Sequence, residues 1–180
     1  MIEKVILYSI VGIAVSVALS FLTKSTGDKI DADEQGAFHL KMNKLYLIAG
    51  LGGLIMGLVF LILIPLIADN TTMVIVFIVL LILSIAWGTG IPCLMYYKNH
   101  RLTFDDLTIT VTNVYGKQKQ IKWEGINNMK FSPMSGLLTI TNKTDEIKIH
   151  QHLVGLSSFI DSVEKKTNWT AEKLKLPIQK

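Results

Sequence analysis

The sequence predicts an α+β membrane protein, in which three transmembrane helices precede a small β-barrel or bent antiparallel sheet and a C-terminal amphipathic helix. Half of the 180 residues are hydrophobic and only 18% are charged, against about 25% charged in a typical soluble domain. Three uncharged apolar runs carry most of this excess, at 5–22, 45–68 and 73–95. In the remainder of the chain, hydrophobic residues alternate with polar ones, as in half-buried strands. The chain therefore divides into a transmembrane region, 1–97, and a second domain, 98–180.

The three uncharged runs match the length of membrane-spanning helices. A helix that rises about 1.5 Å per residue needs roughly 20 residues to cross about 30 Å of hydrocarbon. The runs at 45–68 and 73–95 are long enough, and the run at 5–22 just reaches this length. That first run is either an uncleaved anchor or a secretory signal cleaved near Ala18-Leu19-Ser20. We favour the anchor, because the apolar core is longer than the roughly 7–15 residues of a signal sequence.

Small residues recur at every fourth position in the predicted spans, for example at Gly53 and Gly57. This spacing places them on one helix face, where another helix can approach closely. The face either packs the predicted helices against one another, which we favour, or joins copies of the chain in a homo-oligomer. The spans contain no Asp, Glu, Lys, Arg or His. This counts against a transporter or pump, since such proteins place ionisable groups within the membrane.

Basic residues beside the spans predict the orientation, because cytoplasmic flanks carry the excess of Lys and Arg. The 69–72 turn has none, whereas the loop at 23–44 and the stretch after the third span have several. They are Lys24, Lys29, Lys41, Lys44, Lys98 and Arg101. We therefore expect a multi-pass protein of the cell membrane, with 23–44 and 96–180 in the cytoplasm and the N-terminus and the 69–72 turn outside.

Alternation of hydrophobic and polar residues predicts six short strands in the second domain. They lie at 100–104, 107–115, 118–123, 126–131, 137–142 and 146–150. A helix follows, because hydrophobic residues then recur at helical spacing. These are Leu156, Phe159, Ile160 and Val163. We expect Ser157 or Ser158 to cap the N-terminus of this helix.

The segment GKQKQIKWEGI, 116–126, holds three lysines. Gly116-Lys117 predicts a turn, and the alternation of apolar and polar residues after it predicts a return strand in which Ile121 and Trp123 face the core. Only Lys117 and Lys119, at the tip of the hairpin, are then left as candidates for contact with lipid or with a protein partner.

Three segments carry a resemblance to a known domain: RLTFDDLTIT (101–110), VYGKQKQIKWEGI (114–126) and EIKIHQHLVGLSSFIDSVEK (146–165). Together they resemble a pleckstrin-homology-like (PH-like) domain of bacterial membrane-anchored proteins, over about residues 98–166. The resemblance implies seven strands, one more than the alternation predicts. We hypothesise that 36–43 supplies the seventh, since hydrophobic and polar residues alternate there too.

The charge distribution favours contact with an anionic leaflet. Residues 98–180 contain 13 Lys and Arg against 8 Asp and Glu, and a basic domain is attracted to anionic lipid. Members of the wider fold that bind inositides use basic residues at the first hairpin, whereas here that turn is Phe104-Asp105-Asp106. Binding of nucleic acid is not expected, because 98–180 has one arginine and Trp123 is predicted to face the core.

No catalytic, cofactor or metal site is predicted. His150 and His152 are two residues apart, a spacing that seats two metal ligands, but two ligands do not close a zinc site. Lys148 shares their face, so we expect this face to be exposed to solvent. The sequence shows no serine or cysteine nucleophile pattern with a histidine and a carboxylate, no paired acids and no HExxH motif.

These observations lead to two alternative hypotheses for the function. The first is a non-enzymatic membrane protein that presents a PH-like domain at the cytoplasmic face as a binding, scaffold or sensor module. The alternative is a structural or regulatory subunit of a larger membrane complex that acts through its transmembrane helices. Partners expected for the first are the lipid bilayer, an anionic lipid of the inner leaflet or a protein.

Overall fold

The computed structural model describes residues 27–68 and 73–177. The helices in this part are α1 (Leu45–Ala68), α2 (Met73–Asn99), α3 (Leu156–Lys166) and α4 (Ala171–Leu174). The strands are β1 (Phe38–Lys41), β2 (Arg101–Phe104), β3 (Thr108–Thr112), β4 (Gln118–Lys122), β5 (Asn128–Ser132), β6 (Leu137–Thr141) and β7 (Glu146–His150). The predicted span at 5–22 and the 69–72 turn lie outside the described residues.

Helices α1 and α2 form an antiparallel helix pair, and both are long and apolar enough to cross a membrane. Gly53 and Gly57 lie in the contact between them, where a Cβ at Gly53 would be 2.7 Å from the Ala86 carbonyl oxygen. A Cβ at Gly57 would overlap the Trp87 ring. The small-residue face of α1 therefore packs against α2 within one chain, and that packing leaves no room on this face for a second copy.

We expect Gly53→Ala to destabilise the helix pair by about 1–3 kcal/mol, because the new methyl group meets backbone that cannot rotate away. Thermal unfolding of the full chain in detergent, followed by circular dichroism, measures this effect. Gly52→Ala is the matched control, since a Cβ at Gly52 meets no atom within 4 Å and alanine favours the helix over glycine. Equal melting temperatures for the two variants would contradict the described packing.

Strands β1 to β4 form one antiparallel sheet in that order. Strand β1 comes from the segment before α1 and pairs with β2, which begins just after α2, with Leu40 opposite Leu102. The segment 36–43 thus contains a strand, and its alternate residues Leu40 and Met42 are buried. Both membrane-helix candidates consequently connect to neighbouring strands of the same sheet.

Strands β5 to β7 form a second antiparallel sheet. The short 3₁₀ turn Trp123–Gly125 separates β4 from β5, and no ladder joins these two strands in the described part of the chain. The strands therefore form two sheets and not a closed barrel, while the α+β class with antiparallel strands is confirmed. We call residues 36–43 together with 100–177 the sheet domain.

An aromatic cluster fills the centre of the sheet domain. The Phe104 ring stacks on Phe38 with centroids 4.8 Å apart, and meets Phe159 of α3 edge-on at 5.2 Å. Trp123 is buried beside them and donates its indole N–H to the Asp105 carbonyl at 2.9 Å. The apolar face of α3 covers this core, as its helical spacing of hydrophobic residues predicts.

The start of α3 differs from the prediction. Gly155, in a left-handed conformation with φ of 79°, occupies the N-cap position, and Ser157 and Ser158 lie inside the helix. Their hydroxyls bind the chain that precedes β1: Ser157 Oγ donates to the Asp28 carbonyl at 2.9 Å, and Ser158 Oγ accepts from the Ile30 N–H at 3.0 Å. The two serines fasten this segment to the sheet domain instead of capping the helix.

Candidate functional site

Two groups of polar and charged side chains lie at the end of the sheet domain nearest the helix pair. Helix α1 begins four residues after β1, and α2 ends two residues before β2. Because β1 and β2 are neighbours in the sheet, both helices leave from one end of the domain. We call this the helix-proximal end.

A pocket of about 860 Å³ lies between the helix pair and the edge of the first sheet. Its cationic side chains come from β1, the start of α1, the end of α2 and β2. We call it the basic pocket, and define it by its lining. The lining residues are Ile30, His39, Lys41, Met42, Lys44, Leu47, Leu94, Tyr97, Lys98, Arg101 and Val154.

The charges of the basic pocket are unbalanced. Within the described chain, Lys29, Lys148 and Lys166 form ion pairs with carboxylates, but no such pair involves the Lys or Arg side chains of the basic pocket. Asp33 is the nearby acid, and its carboxylate instead contacts His39 Nε2 at 2.8 Å and accepts two backbone N–H groups. These hydrogen bonds lower the pKa of the Asp33 carboxyl. The pocket therefore presents net positive charge.

A cluster of aromatic and imidazole rings lies where the second sheet meets the helix pair. It consists of Tyr46, Tyr96, His100, His150 and His152, and we call it the His–Tyr cluster. The backbone N–H of His150 donates to His100 Nε2 at 3.1 Å, and the backbone N–H of His152 donates to His150 Nδ1 at 3.2 Å. Tyr46 Oη lies 2.8 Å from His152 Nδ1 and 3.4 Å from His150 Nε2.

These hydrogen bonds require neutral rings. His150 Nδ1 and His100 Nε2 both act as acceptors, so each ring can carry a proton only on its other nitrogen. Burial lowers the pKa of His100 to about 4, although the Thr112 carbonyl acts to raise it. Burial, together with the neighbouring His152 and His100, lowers the pKa of His150 to about 3. Burial lowers the pKa of His152 as well.

The expectation that His150 faces solvent is wrong. His150 follows Lys148 on the same face of β7, but Lys148 is exposed while His150 is buried against Tyr46 and Tyr96. The alternation within β7 cannot predict the burial of His150, because the tyrosine rings that cover it belong to α1 and α2. His152 lies beyond the end of β7, and no group of three His, Cys, Asp or Glu side chains within 27–68 and 73–177 is arranged to hold a metal.

The hairpin lysines lie apart from the basic pocket. Lys117 and Lys119 line a smaller pocket of about 230 Å³ against β7. Lys119 Nζ donates to the Glu146 carbonyl at 3.3 Å, and the Glu146 carboxylate pairs with Lys148 at 3.0 Å. The two lysines that the sequence singled out therefore belong to a partly neutralised surface. The four cations of the basic pocket were visible only as flanks of the predicted spans.

The acidic turn after β2 lies at the opposite end of the sheet domain from the helix pair. The Asp105 carboxylate accepts the backbone N–H groups of Leu107 and Thr108, both at 2.7 Å, and these bonds lower its pKa. Asp106 pairs with Lys166 of α3 at 2.7 Å. Both acids thus stabilise the turn and its contact with α3, and neither is near the basic pocket.

Exposed hydrophobic side chains occupy two turns at the helix-proximal end. Tyr115, in the β3–β4 turn, is 73% exposed, and Met134, in the β5–β6 turn, is fully exposed. The side-chain amide of Asn99, the last residue of α2, donates to the Val114 carbonyl at 2.6 Å, which places the first turn at the end of that helix. The second turn connects Ser132 to Leu137, and Leu137 pairs with His150 of the His–Tyr cluster. This turn therefore lies at the same end of the domain.

Known proteins offer no assignment. Comparison with protein-family models, with curated proteins and with solved structures finds no match. The functional assignment therefore depends on the geometry of the helix-proximal end.

Proposed function

We propose that the protein is a non-enzymatic, membrane-anchored binding protein, in which a PH-like domain is held against the cytoplasmic leaflet as a scaffold or sensor module. The helix pair spans the membrane, and the helix-proximal end of the sheet domain faces the lipid headgroups. Anionic lipids of that leaflet are the first partner of this surface.

The strand arrangement supports the PH-like interpretation. The described part of the chain has seven antiparallel strands followed by a helix across the core, and seven strands before a C-terminal helix are what the resemblance implies. Strand β1, which lies before α1 in the chain, supplies the seventh strand. With α1 and α2 both joined to the first sheet, the domain is tethered to the bilayer at two adjacent strands.

One observation carries the proposal: hydrophobic tips and unpaired cations lie together at the end from which the helices leave. Tyrosine side chains are enriched at the boundary between headgroups and acyl chains, where one end of the ring is apolar and the hydroxyl is solvated, and the exposed methionine adds apolar surface at the same end. Lysines and arginines beside them are attracted to anionic lipid by about 1 kcal/mol each. The same basic residues predict a cytoplasmic location by the excess of Lys and Arg beside the spans.

Environment-sensitive labels at the two tips test the contact with lipid. In a Cys93→Ser background, Tyr115→Cys and Met134→Cys are labelled with a fluorescent nitrobenzoxadiazole group, and the full chain is reconstituted in vesicles that contain phosphatidylglycerol. We expect spin-labelled lipid to quench both labels strongly, because both turns lie at the level of the helix ends.

Leu107→Cys is the matched control. Leu107 is 74% exposed, close to the 73% of Tyr115, but it lies in the β2–β3 turn. Four residues of β2 separate that turn from α2, a distance of about 13 Å. Its label is expected to stay bright in spin-labelled lipid. Equal quenching at all three positions, or none at any, would refute the proposed orientation.

A further inference from the structure

Two cations of the basic pocket face each other without a counter-charge. Lys41 of β1 and Arg101 of β2 are directly opposite in the antiparallel ladder, and like charges in that position destabilise a sheet. Lys98 adds a third charge from the last turn of α2, and its carbonyl accepts a long hydrogen bond of 3.5 Å from Arg101 Nη2. An anion among these groups would remove the repulsion.

The remainder of the pocket is apolar and reaches into the helix pair. Leu47 lies in the first turn of α1, and Leu94 lies between one and two turns from the end of α2. Met42 and Val154 continue this apolar surface toward the sheet domain. The pocket therefore has a cationic part at the helix ends and an apolar part that is continuous with the membrane-spanning segments.

We infer that the basic pocket binds one anionic phospholipid, with its phosphate among Lys41, Lys98 and Arg101 and the start of its acyl chains along Leu47 and Leu94. A volume of about 860 Å³ is within the range of small-molecule sites, roughly 300–1,000 Å³. The inference rests on the proposed function, because it requires the helix-proximal end to face a leaflet.

The apolar part selects a lipid over a free phosphate. Inorganic phosphate would use only the cationic part and would leave Leu47 and Leu94 uncovered. A phospholipid satisfies both parts, since its headgroup and its chains are joined across the same boundary that the pocket spans. A zwitterionic lipid carries a positive group that these cations repel.

Native mass spectrometry of the full chain, released from detergent with added lipid, tests the inference. We expect one phosphatidylglycerol molecule to bind more tightly than phosphatidylcholine with the same chains. Lys98→Gln/Arg101→Gln is expected to weaken that binding roughly 10–30-fold, given the attraction of each charge to an anionic headgroup. Millimolar inorganic phosphate is expected to leave the bound lipid in place.

Lys122→Gln/Lys130→Gln is the matched control, because it removes the same net charge from exposed positions on β4 and β5. Its lipid affinity is expected to equal that of the parent chain. Equal loss in both double variants, equal binding of the two lipids, or displacement by inorganic phosphate would each overturn the inference.

The failure of this inference is distinguishable from failure of the proposed function. Strong quenching of labels at Tyr115 and Met134, with no lipid retained by the parent chain, rejects the lipid site alone. Strong quenching at both tips with no retained lipid, accompanied by disulfide crosslinks between Leu47→Cys and cysteines placed within 1–26, would show that the chain itself fills the pocket. Absence of quenching at both tips rejects the orientation on which the site depends.

Discussion

Leu40→Ala is expected to lower the free energy of unfolding of the sheet domain by about 2–5 kcal/mol, the usual cost of truncating a fully buried leucine. Leu40 is 1% exposed and lies opposite Leu102, a residue that no water reaches. The two residues are separated by the whole helix pair in the sequence. A large effect at Leu40 would therefore show that β1 is part of the sheet domain and not a linker to α1.

Urea unfolding of the full chain in detergent, followed by near-ultraviolet circular dichroism, measures the change. We expect the midpoint to fall with little change in slope, because the same surface is exposed on unfolding. Lys41→Ala is the control in the same strand: its side chain is exposed and faces Arg101, so its removal is expected to be neutral or slightly stabilising.

Native stability of the Leu40→Ala variant would contradict the pairing of β1 with β2. A folded fragment of residues 98–180 would contradict it as well. Such a fragment lacks Leu40 and Met42, both buried in the core, and leaves the outer edge of β2 unpaired. The stabilising free energy lost with one strand and its buried side chains exceeds the net free energy of unfolding of a domain of this size.

Acidification from pH 7.5 to 5 is expected to destabilise the sheet domain by about 3–4 kcal/mol through His100 and His150. The folded domain holds both rings neutral, with pKa values of about 4 and about 3. The unfolded chain binds a proton on each near pH 6.5. Stability contributed by the neutral rings is thus complete above pH 6.5 and is lost as the pH falls toward the folded-state values.

The groups that face these rings do not oppose the effect, and His152 adds to it. Tyr46 and Tyr96 are neutral throughout this range, and the pKa of His152 is also lowered by burial. Hydrogen bonds from backbone N–H groups lower the pKa values of the Asp33 and Asp105 carboxyls, and an ordinary aspartate is already ionised at pH 5. These two carboxylates therefore contribute little to the change in stability between pH 7.5 and 5.

Urea titrations of the full chain at several pH values test this prediction. His150→Gln is expected to reduce the slope of stability against pH by the contribution of one proton, about 1.4 kcal/mol per pH unit. His39→Gln is the matched control, since that ring is exposed and outside the cluster. Stability that does not change between pH 7.5 and 5 would show that the rings are not held neutral.

Local patterns in the sequence are sufficient to predict the elements of this protein. Six strands follow from alternation, and their observed bounds differ from the predicted ones by a few residues at most. Two long apolar helices follow from length and the absence of charge. The burial of Trp123 follows from strand parity. Each of these features depends on the side chains of one segment, because the spacing of hydrophobic residues within that segment predicts its secondary structure.

Contacts between distant segments could not be predicted in this way. The sequence offered alternation in 36–43 as a hypothesis, but only the tertiary structure pairs that strand with β2. The misassigned residues show the same limit. His150 has the parity of an exposed residue, and Ser157 and Ser158 have the chemistry of N-caps. Each is buried because a segment far away in the chain covers it.

The same distinction between local pattern and long-range contact applies to the candidate site. The sequence is enough to show that lysines and arginines flank the apolar runs, since charge excluded from hydrocarbon collects where a span ends. Lys41, Lys98 and Arg101 share one pocket because the β1–β2 ladder brings the start of one helix beside the end of the other, a long-range contact that no local pattern reveals. The hairpin lysines, Lys117 and Lys119, were equally visible in the sequence but lie against β7.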